Sequence, residues 1–339
     1  MSSTNLQASP TLQYRLALAA ALLAFCVVLM GAYVRLSDAG LGCPDWPGCY
    51  GRMVVPTQGE IAHQGDSGYT RPLHSGKAWK EMIHRYLAGS LGLVILLLAI
   101  LAWRNRRAER QPLLLPSQLL GLVILQAALG MWTVTLLVKP AIVTAHLLGG
   151  FATFVLLCIL ALKLRPTGTP AVPTSPALRR HIHLALGILI VQITLGGWTS
   201  TNYAALGCSD FPACQAGQWW PAMDFREAFV VWRGTGINYE YGVLANDART
   251  AIHMSHRIGA LLTLLVVGLL ALRLLAGDGA PALRTLGIGL LLLLLLQIGL
   301  GITNVLGHLP LPVAVAHNGG AALLLATLTT LTWIARRHE

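Results

Sequence analysis

Long apolar stretches alternate with short polar ones along the whole chain. Eight of them reach the roughly 20 residues that a helix needs to cross a hydrocarbon layer about 30 Å thick. They cover residues 15–35, 80–102, 117–137, 141–163, 181–201, 250–273, 284–306 and 311–335. Residues 16–33 and 285–335 contain no Asp, Glu, Lys or Arg. The pattern predicts an all-α integral membrane protein with eight transmembrane helices. Several stretches contain Gly and other small residues, which membrane helices use for close packing. The first stretch is too long, and its polar start too weakly basic, for a typical cleaved signal peptide, so it reads as a retained helix.

Composition supports this picture. Of 339 residues, 55% are hydrophobic and 11% charged, against roughly 25% charged in an ordinary soluble domain. Mean hydropathy is +0.64. The charges that remain are distributed unevenly. Arg15, Arg104, Arg106, Arg107, Arg110, Lys163, Arg165, Arg179, Arg180, Arg273, Arg284, Arg336 and Arg337, set against Glu109, Asp278 and Glu339, lie on one side of the predicted spans. They carry nearly all of the net charge of +11, while the loops on the other side sum to about zero. The positive-inside rule then puts both termini in the cytoplasm of a bacterial-type cell inner membrane. The basic balance is this topological bias and gives no support to a nucleic-acid partner.

The chain also repeats itself. Residues 31–49 and 197–214 both run Leu-Gly-Cys, then Asp, an aromatic residue and Pro, then a second Cys at the same distance: Cys43 and Cys49, Cys208 and Cys214. Each motif is followed by a long loop and a helix carrying His-Arg, as His84-Arg85 and His256-Arg257. Further on, Gln126 to Gly130 leads to His146 as Gln297 to Gly301 leads to His317. Two pseudo-symmetric four-helix bundles are predicted, over 1–164 and 181–339. The Pro-rich residues 165–180 between them read as a structureless cytoplasmic linker.

The four loop cysteines lie on the oxidising side of this topology, where disulfides persist. They read as Cys43–Cys49 and Cys208–Cys214 disulfides. Zinc ligation and redox-active thiols are the competing readings, but no His pair stands at finger spacing around either pair. Cys26 and Cys158 fall within helices and read as buried packing residues.

His84, His146, His256 and His317 begin the four even-numbered spans, so four imidazoles share one depth near one face. A lone intramembrane His reads as an interhelical hydrogen bonder. Four related by an internal duplication point to function, because ionisable groups are costly in a bilayer. Two imidazoles facing across a four-helix bundle are a usual way to hold a haem. Small neighbours such as Gly149, Gly150, Gly319 and Gly320 leave room for a flat macrocycle. Arg85 and Arg257 follow two of the ligand candidates and suit haem propionates geometrically, or else snorkel to the interface. Glu81 stands three residues before His84, where the other half has His253 three residues before His256. An i, i+3 pair shares a helix face, so Glu81 lies beside the first site as a proton relay or oxidation-steering group, or faces solvent at the membrane edge. His253 is a neighbour of the haem ligand or itself replaces His256.

With these motifs the chain resembles the heme A synthase family. Residues 31–51 are similar to that family's signature after the first helix, and Glu81-x-x-His84-Arg85, His146, His256-Arg257 and His317 resemble its other landmarks. The resemblance spans nearly the whole chain. It implies that His84 and His146 hold heme O as substrate in the first half, with Glu81 assisting as a catalytic group. It implies that His256 and His317 hold a permanent heme B cofactor in the second. The implied reaction oxidises a methyl group of heme O to the formyl group of heme A for terminal oxidases. A heme O synthase, terminal oxidase assembly and an unidentified electron donor are the implied partners, besides bilayer lipid. A homo-oligomer is compatible with such a protein. Two rivals stay open. A dihaem b-type electron-transfer cytochrome explains the four histidines equally well, but not the difference between Glu81 and His253. A transporter explains the duplication, but predicts paired broken helices.

Overall fold

The computed structural model describes residues 10–58, 60, 69, 71–109, 111–168, 171–277 and 280–335. Arg110, Asp278, Arg336, Arg337 and Glu339 of the charge argument lie outside them, as do Thr169 and Pro170 of the linker. The described residues form eight long helices: α1 (Pro10–Leu36), α2 (Ser75–Arg104), α3 (Leu114–Thr135), α4 (Pro140–Leu164), α5 (Pro176–Thr201), α7 (Asn246–Ala276), α8 (Pro281–Leu306) and α9 (Leu311–Ile334). One short helix, α6 (Phe225–Ala228), lies between α5 and α7. All eight long helices are long and apolar enough to cross a membrane.

Most helices begin a few residues before the apolar run does. Pro140, Pro176 and Pro281 take the first helical positions, where a missing N–H costs nothing. The Ser175 side chain caps α5 by accepting the Leu178 N–H at 3.2 Å. The 165–180 linker is accordingly shorter than predicted, since α5 starts inside it. It is also partly packed: Val172 is buried and its N–H donates to the Ile334 carbonyl at 2.9 Å. The short α6 has no hydrophobic period to announce it; Asp224 caps it through the N–H groups of Arg226 and Glu227.

α1 to α4 close into a ring, with α1 against both α2 and α4 and α3 between those two. α5, α7, α8 and α9 close in the same cyclic order, and the two rings meet where α1 and α4 touch α5 and α9. The turns recur as well. Asp38 after α1 and Tyr203 after α5 adopt φ of 51° and 54°, and Leu137–Val138 after α3 match His308–Leu309 after α8 in the same left-handed region. Such residues cost of order 1–2 kcal/mol each, so a well-determined turn holds them.

The main apolar core lies toward the end of the bundle remote from the histidines. It includes Ala17, Ile95, Leu119, Leu157, Ala185, Leu270, Leu290 and Leu328. Large exposed side chains such as Leu22, Leu93, Ile124 and Leu292 face outward, as lipid requires. Cys26 is exposed and Cys158 half-buried rather than both buried, because an apolar solvent lets a thiol face outward without penalty. At the histidine end, the loop before α7 crosses onto the first ring. The Tyr239 N–H donates to the Leu137 carbonyl at 3.1 Å, and Glu240 pairs with Arg71 at 2.6 Å. The buried Lys139 ammonium donates to the Gly234 carbonyl and sits 3.3 Å from the Trp232 ring centre.

Candidate haem-binding site

Above the core, a cavity of about 2040 Å³ is lined by His84, His146, His256 and His317 together. Pockets for drug-sized ligands hold about 300–1,000 Å³, so the space suits more than one large ligand. The His84 and His146 rings stand 6.5 Å apart between centres, at 85° to each other. A metal joining two imidazole nitrogens by bonds of about 2 Å needs ring centres roughly 6 Å apart. His256 and His317 line the same cavity in the second ring. Among the described residues no group of three or more His, Cys, Asp or Glu converges as a metal site. Pairs of histidines are thus the ligand set on offer. The Nδ1 atoms of His84, His146 and His317 are buried without a well-formed hydrogen bond. These nitrogens are turned into the protein, which leaves Nε2 as the atom that would meet the iron of a macrocycle fitted between the rings.

Each of the four rings rests on a glycine of a neighbouring helix. A Cβ added at Gly31 would come 3.0 Å from His84 Cε1, and at Gly196 3.1 Å from His256 Cε1. At Gly301 it would come 3.2 Å from His317 Cε1, and at Gly130 3.5 Å from His146 Cε1. These glycines set the imidazoles back against the helix wall and leave the space between facing rings clear. In the sequence Gly130 and Gly301 stand out only as marks of the repeat, with no sign of the rings that rest on them.

Glu81 is 5% exposed, buried rather than solvent-facing. Its carboxylate accepts the Cys43 N–H at 2.9 Å and pairs with Arg85 at 2.6 Å. His253 stands in the corresponding place. Its Nδ1 accepts the Cys208 N–H at 3.0 Å, and its Nε2 meets Arg257 Nε at 3.2 Å. His253 thus meets the loop and Arg257 through its two ring nitrogens, and it lines the cavity together with His256 and His317. Both arginines also grip the disulfide loops. Arg85 donates to the carbonyls of Asp45, Pro47 and Gly48, and Arg257 to those of Asp210 at 2.5 Å and Ala213 at 3.0 Å. The Cys43–Cys49 and Cys208–Cys214 disulfides are both formed. Each guanidinium thus ties a disulfide loop to the cavity that it also lines.

Three glutamines join the site, of which the sequence marks Gln126 and Gln297 only as landmarks of the repeat. Gln297 Nε2 donates to the His317 carbonyl at 2.9 Å. Gln192 Nε2 lies 3.1 Å from both His256 Nδ1 and the His256 carbonyl. Gln126 lines the cavity with its amide nitrogen unpaired. Gln126 and Gln297 match across the repeat, whereas Gln192 has Val27 as its counterpart and leaves no such signal.

Eight membrane-length helices and four histidines lining one large cavity define a helical membrane protein with a candidate site for large ligands. Comparison with known proteins makes the assignment particular. Residues 14–329 match the COX15–CtaA family model, described as cytochrome oxidase assembly protein, and the chain belongs to that family. It is 48% identical over 309 residues to a heme A synthase of Shewanella oneidensis, covering 91% of this chain and 92% of the relative. It is 28% identical over 344 residues to a heme A synthase of Caulobacter sp. strain K31, covering 94% of each. A heme A synthase of Halalkalibacterium halodurans is 27% identical over 318 residues, covering 92% of this chain and 93% of the relative.

Proposed function

We propose that this chain is a heme A synthase, an oxidoreductase that converts a methyl group of heme O to the formyl group of heme A. The observation that carries the reading is the His84–His146 pair, with ring centres 6.5 Å apart in a cavity that Glu81 also lines. The first half (1–164) holds the substrate heme O through these two histidines. The second half (181–339) holds a permanent heme B through His256 and His317; its iron supplies one-electron chemistry. The asymmetry at one position supports this division, since the first half keeps a carboxylate where the second has His253.

Within this scheme the chain's own groups bind, orient and exclude water. The four glycines fix how far each imidazole projects. Arg85 and Arg257, pinned to loop carbonyls, hold the two disulfide loops over the cavity and would offer guanidinium groups to the propionates of a bound haem. Glu81 is the catalytic carboxylate, placed to hold or accept a proton at its Oε atoms close to His84. The basic residues Arg104, Lys163, Arg165, Arg179, Arg273 and Arg284 gather at the end away from the disulfides. That distribution supports cytoplasmic termini in an inner membrane, with the disulfide loops on the oxidising side. A heme O synthase upstream and terminal oxidase assembly downstream follow as partners, with a separate electron donor.

The test is expression beside a heme O synthase, purification in detergent, and identification of the extracted haems by mass. Heme B together with heme A or a hydroxylated form of heme O is expected. Heme B alone, unchanged by the heme O synthase, would leave an electron-transfer cytochrome in its place.

A further inference from the structure

The two halves part company along the wall between their second and third helices. In the first half the cavity continues past His84 down α2 as far as Leu96, and up to Leu120 on α3. The corresponding residues of the second half, Gly268 and Leu291, do not line it; there the cavity stops at Leu264 on α7 and Leu294 on α8. The extra depth is about one helical turn, near 5 Å. It runs away from the disulfide loops toward the apolar core, through the middle of the span.

Residue size explains the difference. Gly92 stands where the extension begins, and its counterpart Leu264 is the last residue of α7 to line the cavity; Gly89, one turn earlier, has Leu261 as its counterpart, which lines the cavity as well. A Cβ at Gly89 would meet nothing within 4 Å, and one at Gly92 would come no nearer than 3.8 Å, to Val123. α2 and α3 are also packed against each other less extensively than α7 and α8. On the outer side the extension is bordered by Leu93 and Ile124, which are 69% and 63% exposed. It is therefore a cleft that joins the first histidine pair to the bilayer, apolar throughout except for Ser90.

We propose that the α2–α3 cleft seats the isoprenoid chain of the substrate macrocycle, and that its absence between α7 and α8 reserves the second half for a haem without such a chain. The inference rests on the reading of the first half as the heme O site, and deepens it. Heme O differs from heme B chiefly by a hydroxyfarnesyl substituent. That hydrocarbon needs an apolar path leading away from the propionate end of the ring, and the cleft is continuous with the cavity in that direction. Access from the membrane plane through the same cleft lets a lipid-soluble substrate enter without crossing the disulfide loops.

The test gives the first half the residues of the second, as Gly89→Leu with Gly92→Leu, in the full chain purified from cells lacking heme O synthase. Heme O and heme B are then titrated separately into wild-type and variant protein, following the absorption of the first-half haem. Weakening of heme O binding by at least about tenfold, with heme B binding at that site unchanged, is the expected result. Unchanged heme O binding would overturn the proposal and leave the cleft to bilayer acyl chains. Loss of both haems would also overturn it, by locating the defect in the ring pocket rather than the chain. Wild-type protein that takes up no heme O would sink the parent reading instead, and the variant would then have nothing to change.

Discussion

Glu81 and His253 make the same pair of contacts in the two halves: each accepts the backbone N–H of the first cysteine of its loop, and each meets the arginine four residues on. Loop support is therefore a task that either residue type performs, and the carboxylate in the first half has a second reason to be there. Glu81→His is expected to keep both disulfide loops and both haems while conversion of heme O is lost. Glu81→Ala leaves the half-buried Arg85 with only the loop carbonyls as partners, and is expected to lower thermal stability and haem content together. Full conversion by Glu81→His, measured as extracted heme A, would reduce Glu81 to a loop anchor.

The glycine contacts predict a graded series. Gly31→Ala places a methyl group 3.0 Å from His84 and Gly301→Ala one 3.2 Å from His317, tight enough to push the ring. Gly130→Ala meets His146 at 3.5 Å, an ordinary contact. The first two are expected to shift the absorption and paramagnetic resonance of one haem each, with about 1–3 kcal/mol of overpacking. The third is expected to leave the spectra as they are. Equal effects from all three would show that ring placement does not depend on these glycines.

The first disulfide loop has a pH limit of its own. Burial pushes the Tyr50 phenol above its ordinary value of 10.0, against the smaller opposing influence of Arg71. A raised value means that folding favours the neutral phenol. This contribution is complete below about pH 10 and is lost as pH rises through the folded-state value. Thermal stability is thus expected to fall above that pH. Tyr50→Phe removes that part of the slope and also the 3.1 Å hydrogen bond to the Arg71 carbonyl. An unaltered slope in Tyr50→Phe would assign the loss to other groups.

The crossing loop before α7 is held to the first ring by Lys139, Tyr239 and Glu240. Lys139→Ala together with Glu240→Ala is expected to speed proteolytic cleavage within residues 229–242 several-fold, while both haems stay bound. Cleavage at the wild-type rate would mean that packing of Trp232 and its neighbours holds the loop without these polar ties.

Much of the frame is legible in the sequence because hydrocarbon is an exacting solvent. Eight runs of apolar residues had to be helices, and the structure starts most of them earlier, most clearly at Ser75 and Pro176. The repeat brought out the histidines, arginines and cysteines, since those types stand out from a background of Leu and Ala. Gly31 and Gly196 were illegible for the opposite reason: in a membrane helix a glycine reads as general packing, and only three dimensions reveal the ring lying on it. Gln192 escaped because its counterpart is Val27. The passage of Tyr239 and Glu240 onto the other ring carries no local signal, as it depends on how the two rings are set side by side. The cleft at Gly89 and Gly92 became visible only when its wall was set against Leu261 and Leu264.

The measurement that bears most directly on the account is the haem content of two variants, His84→Ala and His256→Ala, each produced with a heme O synthase and extracted for identification by mass. The account predicts that His84→Ala retains heme B and loses heme O and heme A, whereas His256→Ala loses heme B and makes no heme A. Loss of the same haem from both variants, or heme B as the only haem in each half, would contradict it.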